Sequence, residues 1–407
     1  MSSVVVEING KPYPLHRQTI ALADLDLIAW LEAHPLYPKI FWQEKETGLT
    51  RAAVGSIATF SDVPRVLSDI RLYGGTRFQG TAGLWEGFPS TQFWLPQIEI
   101  TQSSTHTEAI VYESATPHLA HATQNPNSLA APHPFLTRSD LPDYNGWQSR
   151  VDAALQAISS GLIDKVVLAR KTTLQLPHTV SAWSLLRQLK PPSGARFAFH
   201  LTPKLCFLGA TPERLFLKRG NALSTDAVAA TCPRGKTSAQ DAQLAEELLQ
   251  SPKNQREFQV VKQFLEAALS PHSDLLAWEG EDRVLKGSHV QHIHNRLHAT
   301  LKQATSDADL IEALHPTPAL GGYPRDAALA LLKEIEPFDR GWYGGLVGMI
   351  SQESTHLYVA IRSALLQDKE LHLFAGTGLV KGSTPEKEWE ELEQKISPFM
   401  EQFILKS

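Results

Sequence analysis

Short strand-like runs and longer amphipathic stretches alternate irregularly along this chain, and the alternation predicts a mixed α/β or α+β fold. No segment recurs at a fixed period, which sets solenoids and propellers aside. At 407 residues, 42% hydrophobic and 20% charged, the chain can bury a large core and needs no disulfide to hold it.

The first 100 residues read as β-type runs broken by turn residues. Residues 3–8 form a β-branched run ending at Asn9-Gly10, the signature of a strand entering a hairpin turn. ALADLDLIAWLEA, residues 22–34, has the apolar spacing of a helix, and YPKIFWQ and AAVGSIATF read as strands on either side of a charged turn. Residues 114–143 are rich in Pro, His, Asn, Thr and Ser and read as a linker. It separates an N-terminal region, 1–145, from a second region, 146–407. Beyond it, 147–160 is an amphipathic helix ending near Gly161, and DKVVLARKTTL (164–174), 197–202 and 205–208 are strand-like. One long helix is expected over 238–268, another over 326–334, and a last from Pro385 to the C-terminus.

Several function classes are excluded early. A net charge of −5 does not suit a nucleic-acid surface. The start, MSSVVVEINGKPYPL, lacks the basic flank and long apolar region of a secretory signal, and no run reaches the roughly 18 apolar residues of a membrane span. Cys206 and Cys232 lie in or beside apolar runs and read as reduced structural thiols. A cytoplasmic protein is the expectation.

The chemistry-bearing patterns lie in the second region. In GSTPEKEWEELEQK, Ser383 or Thr384 can cap a helix, Pro385 suits its first turn, and Glu388, Glu391 and Lys395 share one face. By itself such a helix is most often a solvated, charge-laced one, but LHLFAGTGLVKGS before it is a buried-type strand running into a Gly-rich turn, where backbone can approach an anion. Glu257 in SPKNQREFQVVKQFL borders an apolar stripe of Phe258, Val261 and Phe264. It is either an ordinary surface carboxylate or one oxygen ligand of a magnesium ion whose other ligands come from the last helix. Lys165 opens DKVVLAR: a lysine at a strand end usually meets solvent, yet one turned inward is available as a general base. Glu213, in FLGATPERLF, is a candidate general acid if its apolar neighbours keep it protonated. His292 and His294 alternate along HVQHIHNRL, and His315 lies in ALHPTPALGGYPR. Zinc is set aside because no third ligand stands at a metal-site spacing.

Eight segments occur in a fixed order: DKVVLARKTTL, FLGATPERLF, TDAVAATCPRG, KNQREF, LHPTPALGGYPR, EPFDRGWYGGLVG, YVAIRSALL and AGTGLVKGSTPEKEWEELEQK. From about Trp147 to the C-terminus the chain thereby resembles the chorismate-binding enzymes, a family that includes isochorismate, salicylate, anthranilate and aminodeoxychorismate synthases. The resemblance implies one large α/β unit that takes in both regions, with 146–407 as the chorismate-binding catalytic region: two antiparallel sheets stacked as a β-sandwich, wrapped by helices, with chorismate and Mg²⁺ in a deep cleft. It implies Glu257 and Glu391 as magnesium ligands with Glu388 beside them. Arg362 and Lys395 would bind substrate carboxylates, and Thr231, His292, Tyr343 and the backbone around Gly376 would form the pocket wall.

Within that family, lysine at position 165 resembles the members that add water, where those adding ammonia carry glutamine. The resemblance therefore gives Lys165 the deprotonation of water attacking C2 and Glu213 the protonation of the C4 hydroxyl as it leaves. Isochorismate release is implied by LHPTPALGGYPR, with Ala319 and Leu320 lining the pocket. Salicylate formation, by subsequent loss of pyruvate, is the alternative. No glutaminase subunit is expected, and the protein would be a monomer or homodimer. Two departures stand out. Ala230 replaces the family's usual glycine before Thr231, which puts that turn's backbone contact in question. The N-terminal stretch YPKIFWQEKETGLTRAAVGS most resembles menaquinone-pathway members; a siderophore-pathway member is the other reading, and the sequence leaves menaquinone, a siderophore or salicylate open as the product's destination.

Overall fold

The computed structural model describes residues 2–79, 85–112, 133–190, 193–287 and 290–405. Within them, two large antiparallel sheets of 13 and 10 strands carry the architecture, with helices packed around them. The α+β sandwich anticipated from the sequence is therefore the fold.

In the 13-stranded sheet, Ala195–Thr202, Leu205–Thr211, Ser363–Gln367, Glu370–Leu379 and Lys165–Gln175 lie side by side in that order. The N-terminal strands feed both sheets. Lys39–Glu44 pairs with Ala195–Thr202 in the first, and Arg71–Thr76 pairs with Leu346–Ser351 in the second. The hairpin at Asn9-Gly10 forms as expected, with φ of 53° and 72° at the two turn residues.

Alternation along each strand sends one set of side chains into the sandwich and the other outward. The inner set is strongly aromatic: Trp42, Tyr73, Trp94, Phe197, Phe207 and Trp342 are all buried in one cluster. Their rings meet edge to face, as Phe88 and Trp342 do at 5.0 Å, the arrangement that ring quadrupoles favour. The outer set is mostly aliphatic and packs under the helices; Val166 and Leu168 of the Lys165 strand belong to it.

Three expectations change. Helical structure in 22–34 is confined to Leu27–Ala33, because Asp26 accepts hydrogen bonds from the amides of Ile28 and Ala29 and so starts the helix there. The long helix over 238–268 is two helices, Ser238–Gln250 and Pro252–Leu269. Ser251 ends the first in an extended conformation and caps the second, whose first residue, Pro252, cannot continue a helix from behind. Of the linker at 114–143, residues 114–132 lie outside the described residues, and the remainder is largely strand. His133–Phe135 pairs in parallel with Phe403–Leu405, and Thr137–Leu141 extends the sheet beside Lys165–Gln175. Cys206 is buried, Cys232 partly so, and both are free thiols. Among the described residues no helix is long and apolar enough to cross a membrane.

Of the places where the chain changes sheets, two are neighbours. Leu205–Thr211 belongs to the first sheet and Arg214–Arg219 to the second, so Pro212 and Glu213 make the passage. Ser354–Val359 belongs to the second sheet and Ser363–Gln367 to the first, and Arg362 lies on the return. The passages are stitched together: Val359 N donates to Glu213 O at 2.9 Å, and Thr211 Oγ1 donates to Val359 O at 2.6 Å.

Candidate active site

Lys165 is the first residue of its strand, and its face is fixed by the antiparallel partner, where Val167 sits opposite Gly378 and Ala169 opposite Gly376. Those glycines make room. A Cβ on Gly378 would lie 2.8 Å from Lys165 Cε, and one on Gly376 would lie 2.9 Å from the Tyr343 hydroxyl. With the lysine stem lying over Gly378, Nζ reaches Glu257 Oε1 at 3.4 Å. Glu257 is carried by Pro252–Leu269, whose buried Phe258, Val261 and Leu265 turn it toward the sheet.

The last helix, Pro385–Met400, supplies three more of the predicted residues. Its cap differs from expectation. Thr384 makes no side-chain cap bond, and Ser383 Oγ instead accepts from Val380 N at 3.2 Å, closing the turn before the helix. Glu391 pairs with Lys395 Nζ at 2.5 Å, and the same Nζ donates to Gly376 O at 2.7 Å. Glu388 accepts from Thr377 Oγ1, a fully buried hydroxyl on the neighbouring strand. Burial works against charge on Glu391, but Lys395, Thr377 and Arg362 outweigh it and hold the carboxyl below its ordinary range. Lys395 moves down too, because burial disfavours its ammonium more than Glu391 supports it.

Glu213 behaves in the opposite way. Burial at the sheet passage pushes its carboxyl up to about 7, against the pull of the Lys165 and Lys395 charges. A cavity of about 410 Å³ opens beside it, walled also by Arg214, Asp226, His294, Arg296 and Tyr358; of the predicted residues only Glu213 borders it.

Arg362 has a left-handed backbone, φ 50°, which costs a non-glycine residue about 1–2 kcal/mol. The conformation is held by Ala210 N donating to Arg362 O at 3.1 Å and by the guanidinium donating to Lys395 O at 3.2 Å. Tyr343, buried and stacked on Phe374 at 5.3 Å, has its hydroxyl pKa raised by burial. His292 shares a 2.9 Å hydrogen bond with the exposed Thr231 hydroxyl. Burial, then the nearby Arg362 and Lys395 charges, lower its pKa to about 4, so it is neutral at pH 7. His294, on the same strand face, is committed elsewhere, to Asp226 at 3.0 Å.

The turn before Thr231 takes a definite form. The register slips between Ala229 and Thr231, and Ala230 occupies the bulge with φ 55°. Alanine keeps the conformation glycine would adopt, at the energetic cost of a Cβ in the left-handed region. Ala319 is half-buried and Leu320 buried on the neighbouring segment, while His315 is enclosed against Phe78.

Lys165 touches Glu257, while Glu391, Lys395, Gly376 and Arg362 form a second contacting group; Glu213 feels the charge of both lysines and so connects the two, and Glu388, Tyr343 and His292 interact with the charges of the second. The three carboxylates do not converge: among the described residues no three acidic, histidine or cysteine side chains form a ready metal-holding group. Two participants escape sequence reasoning. One is Thr377, one threonine among many in strands. The other is the buried Arg340–Glu336 pair: Arg340 donates to the Leu320 and Val167 carbonyls at 3.1 and 2.5 Å, while Glu336 accepts from Ala169 N. Only the i, i+4 spacing of that pair is visible in the sequence.

Known proteins resemble this chain in sequence and in fold. A family profile described as "Chorismate binding enzyme" matches residues 61–404. Isochorismate synthase MenF of Haemophilus influenzae is 32% identical over 405 residues, spanning 96% of this chain and 92% of that protein. The solved structure of MenF, described as the menaquinone-specific isochorismate synthase of Escherichia coli, superposes with a TM-score of 0.85 at 27% identity, covering 95% of this chain and 94% of that one. Anthranilate synthase component I from Streptococcus pneumoniae shares the fold at a TM-score of 0.71 and 16% identity, covering 94% of this chain and 92% of that one.

Proposed function

The chain belongs to the chorismate-binding enzyme family, and from that premise we infer that it is an isochorismate synthase, isomerising chorismate by adding water at C2 and expelling the C4 hydroxyl. One observation carries the chemistry: a carboxyl pushed up to about 7 lies within the electrostatic reach of two lysines, one of them Lys165. An acid still half-protonated near neutral pH, paired with a lysine base, is what exchanging one hydroxyl for another requires.

In this reading Lys165 Nζ takes a proton from water as its oxygen bonds to C2. Both ring double bonds shift, C1=C2 to C1=C6 and C5=C6 to C4=C5, the C4–O bond breaks, and Glu213 protonates the departing oxygen, so one water enters and one leaves. Arg362 and Lys395 bind the substrate carboxylates, the arginine by its planar fork. Tyr343, Gly376, neutral His292, Thr231, Ala319 and Leu320 form the wall. Water is the nucleophile because position 165 is a lysine, and no glutaminase subunit is required.

The donor set fits magnesium. Glu257, Glu388 and Glu391 offer only hard carboxylate oxygens, and their present partners are two ammonium groups and a hydroxyl, positions where a small cation competes on charge. These glutamates would hold Mg²⁺, and the ion would supply the charge that anchors and polarises the ring carboxylate. Superposition of 95% of this chain on the structure described as the menaquinone-specific isochorismate synthase of E. coli supports menaquinone biosynthesis as the destination of the product. Incubation with chorismate and Mg²⁺, followed by chromatography, should yield isochorismate. Salicylate and pyruvate as main products would replace this reading with salicylate synthesis.

A further inference from the structure

Arg170 is five residues along the strand that Lys165 opens, but it faces the other way. The period of two sends Lys165 and Ala169 into the sandwich and Arg170 outward, under the last helix. It is fully buried, an expensive place for a guanidinium. Its plane lies 4.2 Å from the centre of the Trp389 ring, and Nη2 is 2.8 Å from Glu393 Oε1. Asp140 approaches at 3.5 Å, and Arg138 from the adjoining strand also donates to Glu393, at 3.1 Å through Nη1. Trp389 is boxed further by Tyr144 and Trp147, at 5.3 and 6.1 Å.

At roughly 100° per residue, Trp389 and Glu393 stand about 100° to 160° around the helix from Glu388, Glu391 and Lys395. Leu392, Ile396 and Phe399 set which face of the helix turns inward, and apolar contact leaves the finer aim of the polar face to directional contacts. Thr377 and the Lys395–Glu391 pair engage the carboxylates themselves, so those contacts change whenever the carboxylates change partner; Trp147 donating to Pro385 O, Arg362 donating to Lys395 O and Lys395 donating to Gly376 O do not. The Arg170 cluster also uses no site carboxylate: the ring stack and the hydrogen bonds from Arg138 to Glu393 are directional, and Arg170 adds a close charge contact that makes no hydrogen bond of good geometry.

We propose that Arg170 is a positioning residue that locks the rotation of the carboxylate-bearing helix against the strand carrying Lys165, and so pre-aims Glu388 and Glu391 for a divalent cation. The inference rests on the reading of those glutamates as metal ligands. The cation–π stack and the ion pair act as one grip, because both use the same guanidinium.

The test is direct binding of Mn²⁺ to the full chain, followed by electron paramagnetic resonance without substrate. Arg170→Met should raise the Kd about 10-fold or more, the scale on which residues behind metal ligands act. Arg170→Lys, which keeps charge but loses the plane, should fall between it and wild type. Glu393→Gln removes the same grip from a partly exposed side chain and should weaken binding likewise, so the test survives if Arg170→Met fails to fold. Leu186→Ala, a buried change on another helix, should lower stability and leave the Kd alone. Folded Arg170 and Glu393 variants binding Mn²⁺ within twofold of wild type, while Glu391→Gln loses binding, would overturn the lock. Unchanged binding in Glu391→Gln would overturn the ligand reading and the lock with it.

Discussion

Replacing Glu213 by glutamine separates its cost to the fold from its use in catalysis. Burial raises the carboxyl from 4.5 to about 7, so the folded protein favours the protonated form. The sign comes from linkage. Glu213 imposes no penalty below the unfolded pKa, near 4.5; stability is lost as pH rises toward 7, and the loss is complete above it. At ~1.4 kcal/mol per unit, the full penalty at pH 8 is about 3 kcal/mol, and about 2 once partial solvent contact is allowed for. Glutamine has nearly the same shape and never ionises. Urea midpoints for wild type and Glu213→Gln should therefore coincide near pH 5 and diverge with rising pH, the variant becoming the more stable by about 2 kcal/mol at pH 8. Turnover should fall by roughly 10²–10⁴, the usual contribution of a positioned acid. A stability difference that stays flat from pH 5 to pH 8 would refute the claim that this carboxyl is buried against its charge.

Lys165→Ala should lose turnover by a similar factor while still binding chorismate in calorimetry; substantial residual turnover would remove it as the base. Glu257→Gln should shift the Mg²⁺ concentration needed for half-maximal rate upward by tenfold or more, and an unchanged requirement would take it out of the metal shell. Ala230→Gly should stabilise the protein by up to about 1 kcal/mol, because relief of the left-handed alanine outweighs the added freedom of the unfolded chain. A lower denaturation midpoint would show that the Ala230 methyl contributes packing worth more than the strain.

What the sequence made legible was local. The strand opened by Lys165, the Asn9-Gly10 turn and the final helix arise from alternation, turn chemistry and a Pro-led start. The break at Ser251-Pro252 was also readable, since a Ser-Pro pair is a cap followed by a first-turn proline, but apolar spacing on both sides masked it. Pairings between distant segments were not legible. Nothing in Arg170 announces Trp389 and Glu393, more than 200 residues away, and even Thr377, only 11 residues from Glu388, does not announce it as its partner. Glu213 could be suspected from its apolar neighbours, whereas the burial that moves its pKa comes from the change of sheets, a property of topology.

That change of sheets limits how such a site can vary. Between the last paired residue of one layer and the first of the other stand only Pro212 and Glu213, and the proline's φ is fixed. The route has no slack: an inserted residue would flip the side chains of one layer relative to the other, and a deleted one would leave a gap no neighbour could span. Glu213 is in effect dovetailed into the joint, and the opposite joint holds Arg362 in the same way. A protein built like this can trade one side chain for another at its centre, but its loops have to lengthen elsewhere.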